Sequence, residues 1–308
     1  MAPRTHIAVE PPSRPAMHQV MVDAVQAAGG TVVPLAEASA MIFADPAAAA
    51  VYPDLIAAGA AVEWIQLPYA GIEPFAHHLD HDHLWTCGKG VYAPPVAEWI
   101  MTALLTAFRD IPRYVSASSW PRQDGKNLLG ASLTILGGGG ITESFMELIE
   151  PWGCEVTVVR RSPEPFPGAA HTLTTADLHR AVADADAVIV ALALTPETTG
   201  LVDAATLAAM RPDAWLCNVG RGGHVVTDDL VAALRAGTIA GAVLDVTDPE
   251  PLPDGHPLWA LDNCVITPHV GNTPEMGLPL IAERVRVNVE RWIAGEPLIG
   301  PVDVSAGY

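Results

Sequence analysis

Leu133-Thr134-Ile135-Leu136 runs directly into Gly137-Gly138-Gly139-Gly140, and a helical pattern follows over Glu143–Trp152. A strand, a tight glycine turn and a helix form the setting in which a dinucleotide pyrophosphate is bound. Gly137 permits the turn and Gly139 lets backbone approach a phosphate. The helix N-terminus then offers unpaired N–H groups and the positive end of a dipole. The third glycine of G-x-G-x-x-G is replaced by Thr142. That glycine serves close helix–strand packing, so Thr142 is expected to push the helix slightly outward.

Strands and helices alternate outward from this turn in both directions. On the N-terminal side, His6–Val9, Thr31–Pro34, Met41–Phe43 and Val62–Leu67 read as strands. Met17–Ala28 and Ala47–Ala58 read as helices between them. Pro94-Pro95 opens a long apolar helix over about Val96–Phe108, as proline in a first turn should. On the C-terminal side the strands are Leu133–Leu136, Val156–Val159, Ala187–Leu192, Ala214–Val219, Ala242–Val246 and Cys264–Ile266. Thr175–Val182, Ala204–Met210 and Asp228–Ala236 read as connecting helices, and an amphipathic helix over about Pro274–Ile293 closes the chain. This alternation predicts an α/β protein with parallel sheets covered on both faces. Residues 1–93 with 275–308 are expected to form one domain and residues 94–274 a dinucleotide-binding domain.

About 20 residues past the glycine turn, a carboxylate would hydrogen-bond the ribose hydroxyls of NAD. Arg160-Arg161-Ser162 stands there instead. Two guanidinium groups and a hydroxyl suit a 2′-phosphate, so NADP(H) is preferred and NAD(H) is possible.

Three further residues each follow an apolar run at a strand end: Arg221, Glu250 and His269. Together they can hold a carboxylate, polarise a carbonyl and move one proton. With a hydride donor nearby, that equips a site to reduce a 2-oxo acid.

The surrounding strings resemble the D-isomer-specific 2-hydroxyacid dehydrogenase family. They are Leu194-Thr195-Pro196-Glu197-Thr198, Asn218-Val219-Gly220-Arg221-Gly222-Gly223, Leu244-Asp245-Val246, Pro249-Glu250-Pro251 and Thr267-Pro268-His269. Tyr69-Ala70-Gly71-Ile72-Glu73 and Pro95-Val96-Ala97-Glu98 fit upstream, while the first 60 or so residues carry little of the resemblance. It implies two doubly wound domains, one Rossmann-type and one flavodoxin-like, the latter for substrate. Arg221 would grip the substrate carboxylate and carbonyl, His269 would be the acid or base, and Glu250 would hydrogen-bond and orient it. Backbone at Ala70 and Gly71 would hold the carboxylate, with Tyr69 bordering the substrate. Gly140 and Ile141 would face the pyrophosphate and Asp245 would bind the nicotinamide carboxamide. Leu192, Ala193, Val219, Gly220 and Gly271 complete the implied cofactor contacts. The related formate dehydrogenases pair their histidine with glutamine, so Glu250 favours a hydroxyacid.

Charge bounds the substrate and the partners. The formal net charge is −19 and lysine occurs only at Lys89 and Lys126. Such a surface excludes nucleic acid and anionic membranes as partners. Residues 1–93 carry only Arg4, Arg14 and Lys89 as fixed cations. Phosphate sites recruit arginine, lysine or a helix N-terminus, so an unphosphorylated acid such as glyoxylate or hydroxypyruvate is favoured over phosphoglycerate. A non-catalytic dinucleotide-sensing protein of the same fold is a further alternative, which the intact trio argues against.

Cys87, Cys154, Cys217 and Cys264 show no C-x-x-C spacing and read as core residues. His77-His78-Leu79-Asp80-His81-Asp82-His83 resembles a metal-binding tract, but a polar surface segment is the expectation and no metal is assigned. No apolar run approaches the roughly 18 residues of a spanning helix, and Met1–Pro15 lacks a secretory core, so the default is cytoplasmic. The resemblance implies a homodimer, with the loop around Trp120–Asn127 as a candidate contact.

Overall fold

The computed structural model describes residues 2–59 and 61–305. The chain splits into two compact units, Met1–Tyr92 with Thr273–Tyr308, and Ala93–Asn272. The first unit begins with β1 (His6–Glu10), α1 (Pro15–Ala27), β2 (Thr31–Val32), β3 (Ala40–Phe43), α2 (Tyr52–Ala58), β4 (Trp64–Gln66) and β5 (Leu84–Thr86). The second holds α3 (Ala93–Phe108), α4 (Ile111–Val115), β6 (Ser132–Leu136), α5 (Gly140–Ile149), β7 (Glu155–Val159), β8 (His171–Leu173), α6 (Leu178–Val182) and β9 (Ala187–Val190). It continues with α7 (Ala204–Ala209), β10 (Trp215–Asn218), α8 (Thr227–Ala236), β11 (Gly241–Leu244) and β12 (Cys264–Ile266), and α9 (Pro274–Ala294) returns to the first unit.

The first sheet is parallel throughout, in the order β2-β1-β3-β4-β5. That is the flavodoxin-like arrangement. Helix α9 turns its buried Ile281, Val285, Val289 and Trp292 inward at helical spacing and packs on α1. Its central Asn288 is also fully buried. Asn288 Nδ2 donates to Gln66 Oε1 at 2.8 Å and to the Ile299 carbonyl at 2.9 Å, and Asn288 Oδ1 accepts from the Ile299 N–H. Thr86 Oγ1 donates to the same Gln66 oxygen and accepts from Trp64 Nε1. A closed polar network of this kind fixes the register of α9 against β4 and β5, because any slip would leave buried groups unpaired.

The second sheet is also parallel, in the order β12-β11-β10-β9-β6-β7-β8. Counted from β6 its first six strands follow the Rossmann order, with the switch point between β6 and β9. The buried strands send alternate residues to opposite faces. Ala187 and Ile189 join the core under α3 and α5, whereas Val188 and Val190 join that under α6, α7 and α8.

The structure corrects the sequence reading at several elements. Ala47–Ala58 is a 3₁₀ segment over Pro46–Val51, with Ala48 out of helical geometry, and then α2. Pro53 falls in the first turn of α2, where its missing N–H costs nothing. The second sheet has seven strands where six were expected, since β8 is a short edge strand, and β5 was likewise unexpected. The four cysteines are free. Burial raises their thiol pKa values, that of Cys264 to about 12. Among the described residues no helix is long and apolar enough to cross a membrane. In the histidine tract, His83 Nδ1 pairs with Asp80 at 2.8 Å and His78 stacks on Tyr52. Among the described residues no group of three or more His, Cys, Asp or Glu could hold a metal ion.

Candidate active site

The loops after β6, β7, β9, β10, β11 and β12 lie at the C-terminal edge of the second sheet, where open α/β sheets place ligands. At the β6–α5 turn, Gly137 has φ +121° and donates its N–H to the Val159 carbonyl at 2.8 Å. A Cβ there would lie 2.4 Å from the Ala191 carbonyl oxygen, so only glycine fits. Gly139 precedes α5 in extended conformation, and a Cβ there would meet nothing within 4 Å. The N-terminus of α5 therefore opens onto free space, the cradle that a pyrophosphate needs. Thr142 corrects the expectation of an outward push. Its side chain is fully buried and Oγ1 donates to the Gly137 carbonyl at 2.9 Å. The hydroxyl ties the helix to the turn where the usual glycine would merely allow close approach.

Past β7, Arg160 is half-buried, with its guanidinium carbon 5.8 Å from the Phe166 ring centroid. Ser162 Oγ accepts from the Glu164 N–H at 3.3 Å. Arg161 is exposed and its charge bears on Glu197. Glu197 has its pKa held low mainly by a hydrogen bond from Thr195. Of the two arginines, Arg160 is thus the one that flanks the glycine turn directly, since a Cβ on Gly138 would lie 2.9 Å from its Cδ.

Past β9, Leu192 and Ala193 lead into a turn in which Thr198 Oγ1 donates to the Ala193 carbonyl at 2.8 Å. Past β10, buried Asn218 braces its own loop: Nδ2 donates to the Arg221 carbonyl at 3.0 Å and Oδ1 accepts from the Gly220 N–H at 3.1 Å. Val219 is buried, and Arg221 Nη1 donates to the Gly220 carbonyl at 2.9 Å. Gly222 is obligatory, because a Cβ would lie 1.9 Å from the Thr247 carbonyl oxygen.

Past β11 and β12 the loops converge on Asp245. Its Oδ1 accepts from Thr267 Oγ1 at 2.6 Å and from the Val270 N–H at 2.8 Å, and Oδ2 accepts from the Gly271 N–H at 2.8 Å. Its backbone carbonyl accepts from the His269 N–H at 2.9 Å. One buried carboxylate therefore holds the whole turn that carries His269. His269 itself has φ +55°, a region in which non-glycine residues store strain and which clusters at functional sites. Its Nδ1 lies 2.6 Å from Glu250 Oε1. Glu250 occupies one ring nitrogen, and Nε2 is the nitrogen left to exchange a proton.

The structure thus gathers Arg221, Glu250, His269 and Asp245 on neighbouring strand-end loops of one unit. Tyr69, Ala70 and Gly71 lie in the other, on the loop after β4. There Tyr69 packs edge-on against Tyr92, and Tyr92 Oη donates to the Pro68 carbonyl at 2.8 Å. Sequence reasoning overlooked Asn218 and His224, the buried residues behind Arg221. Asn218 ends the apolar strand β10 and His224 directly follows the glycine-rich string, and neither position by itself marks a buried residue.

Residues 99–271 match the family model described as D-isomer specific 2-hydroxyacid dehydrogenase, NAD binding domain. An uncharacterized protein of Corynebacterium melassecola is 40% identical over 80% of this chain and 84% of its own length. The glyoxylate reductase/hydroxypyruvate reductase of Homo sapiens is 34% identical over 79% of this chain and 78% of its own length. A D-isomer specific 2-hydroxyacid dehydrogenase from Xanthobacter autotrophicus Py2, solved in complex with NADPH and MES, superposes with TM-score 0.84 at 27% identity, covering 98% of this chain and 99% of that one. The glycine turn, the braced arginine loop and the His269–Glu250 pair lie inside the matched span, and the chain belongs to the D-isomer specific 2-hydroxyacid dehydrogenase family.

Proposed function

We propose that the chain reduces a small unphosphorylated 2-oxo acid, of the size of glyoxylate or hydroxypyruvate, to the D-2-hydroxy acid, with NADPH preferred over NADH. The observation that carries the reading is the 2.6 Å pairing of His269 Nδ1 with Glu250 Oε1 on a turn held by Asp245. The bound reduced dinucleotide supplies the hydride. Arg221 grips the carboxylate and polarises the carbonyl with its planar fork of donors. His269 delivers the proton from Nε2 to the carbonyl oxygen, and takes it back in the reverse direction. Glu250 holds the ring so that Nε2 is presented. Ala70 and Gly71, beside Tyr69, are assigned to the substrate carboxylate by family resemblance.

The residues fit the dinucleotide. The cradle at Gly139 and the N–H groups at Gly140 and Ile141 suit the pyrophosphate. Leu192, Ala193, Val219, Gly220 and Gly271 are assigned to the cofactor by family resemblance. Asp245 already accepts three hydrogen bonds, which leaves capacity for about one more, the carboxamide. Arg160 favours a 2′-phosphate. The names of the human relative and the NADPH complex of the Xanthobacter protein support the substrate and the cofactor. We also assign residues 1–93 with 275–308 to substrate and residues 94–274 to dinucleotide. Val115 and Trp120, 81% and 92% exposed, are proposed as contacts of a homodimer.

Steady-state rates on a panel of 2-oxo acids with NADH and NADPH test this. Glyoxylate or hydroxypyruvate with NADPH is expected to lead. Faster turnover of 3-phosphoglycerate overturns the substrate. Inert wild type and His269→Ala across the panel would favour a non-catalytic dinucleotide sensor.

A further inference from the structure

His224 ends the 3₁₀ turn Gly222–His224 directly behind Arg221, and it is fully buried. Its Nδ1 lies 3.1 Å from the Arg221 backbone N–H and 3.0 Å from the Arg221 carbonyl oxygen. The two contacts demand opposite protonation. The backbone N–H can only donate, and Nδ1 is placed to accept it. The carbonyl already accepts from Asn218 Nδ2 at 3.0 Å and from the His224 N–H at 3.2 Å. Nδ1 is therefore the acceptor, and the ring is neutral with its proton on Nε2.

The surroundings keep the ring uncharged. A Cβ on Gly220 would lie 3.1 Å from both Cε1 and Nδ1, and 3.2 Å from the Leu192 carbonyl oxygen, so Gly220 is packed between the ring and the loop after β9. The His224 carbonyl accepts from the Val202 N–H at 2.9 Å, which ties the same two loops together. Nε2 is buried with no hydrogen-bond partner among the described residues. The Ala193 and Arg221 carbonyls are the nearby dipoles that favour a charged ring, yet neither is hydrogen-bonded to Nε2. Burial first, and the charge of Arg221 with it, outweigh them and push the pKa down; among the described residues no carboxylate contributes to the shift.

We propose that His224 is a positioning residue for Arg221, a neutral hydrogen-bond acceptor that fixes the backbone from which the guanidinium reaches the substrate carboxylate. The inference rests on the reading of Arg221 as the carboxylate clamp. Asn218 holds the carbonyl side of Arg221 and His224 holds its N–H side, so the peptide planes on both sides of the arginine are set. Protonating Nδ1 removes the acceptor and places a second positive charge beside Arg221. The grip on a 2-oxo acid then weakens at acid pH through a residue that touches no substrate.

The test compares wild type with His224→Leu and His224→Asn, using oxamate as a non-reacting 2-oxo acid mimic. Its binding to the NADPH-saturated enzyme is followed by calorimetry from neutral to acid pH. His224→Leu is expected to weaken oxamate binding and raise KM about tenfold, with kcat and NADPH affinity little changed, as for loss of one hydrogen bond. His224→Asn keeps an acceptor where Nδ1 stood and cannot titrate. It is expected to recover most of the affinity and to lose the acid-side decline that wild type shows. Wild-type affinity in folded His224→Leu, or the same acid-side decline in wild type and His224→Asn, overturns the proposal. If wild type turns over 2-oxo acids but neither it nor any variant binds oxamate, the clamp assignment fails and the positioning role with it.

Discussion

His269 Nδ1 lies 2.6 Å from Glu250 Oε1, yet the two side chains remain 50% and 41% exposed. The ring is thus oriented from one side and open on the other, which a proton donor requires. His269→Ala removes the proton path, and kcat is expected to fall by about 10²–10⁴-fold while dinucleotide binding persists. Glu250→Gln keeps an acceptor for Nδ1–H and is expected to fall less. Loss of reduced-nicotinamide absorbance under saturating substrate measures both. Near-wild-type turnover in His269→Ala would remove the histidine from the chemistry.

Asp245 supports that histidine without touching it through a side chain. Its three accepted bonds come from Thr267 Oγ1 and from the N–H groups of Val270 and Gly271. Asp245→Ala strands all three donors in a buried place, at a cost of about 1–3 kcal/mol each before relaxation. Asp245→Asn should also be poor, since its amide NH₂ would face a backbone N–H. We expect a lowered Tm in both, with kcat lost at least as strongly, because the turn at His269 is held in left-handed geometry by these bonds. Thermal denaturation and steady-state kinetics on the same preparations separate the two effects.

The parts of this design that were legible in the sequence share a physical basis. The buried strands of the second sheet are legible within two residues, because strands covered on both faces are short apolar runs, and the half-buried edge strand Cys264–Ile266 is legible because it too is apolar throughout. β8, His171-Thr172-Leu173, is an exposed or half-buried edge strand with no such run. β5 follows the polar histidine tract and is three residues long. Arg221, Glu250 and His269 stood out because charged residues at the ends of apolar strands are conspicuous. Asn218 and His224 did not, since nothing in a lone sequence distinguishes a buried bracing residue from an exposed one. Thr142 was misjudged for a related reason. Its hydroxyl satisfies itself on the Gly137 carbonyl, and that acceptor is visible only once the turn is built.

Arg160 makes cofactor choice separable from catalysis. It sits at the end of β7 against Phe166 and the glycine turn, whereas Arg161 shares its charge with Glu197. Arg160→Asp is expected to cost NADPH about 10- to 100-fold in apparent affinity, the scale of one or two charge-assisted bonds, and to improve NADH. Arg161→Asp should do less. Titration with the two cofactors decides the matter, and an unaltered NADPH-to-NADH ratio in Arg160→Asp would place the 2′-phosphate elsewhere.

His224 also predicts how stability responds to acid. Burial first, and the Arg221 charge with it, lower its folded pKa below the ordinary 6.5. Above that value both folded and unfolded rings are neutral and the group contributes no pH dependence. As pH falls through 6.5 the unfolded ring takes up a proton that the folded ring refuses, so stability declines until the folded pKa is reached. The slope for one proton is at most about 1.4 kcal/mol per pH unit. His78, lowered by burial and by neighbouring His77, adds in the same direction. Asp203 and Asp213, lowered chiefly by hydrogen bonds from Thr206 and Arg211, lose stability only as pH falls below the ordinary 3.8. Chemical denaturation of wild type between neutral pH and 5 is therefore expected to show a decline that His224→Asn reduces. Equal slopes in the two proteins would mean that the folded His224 ring takes up its proton at its ordinary pH.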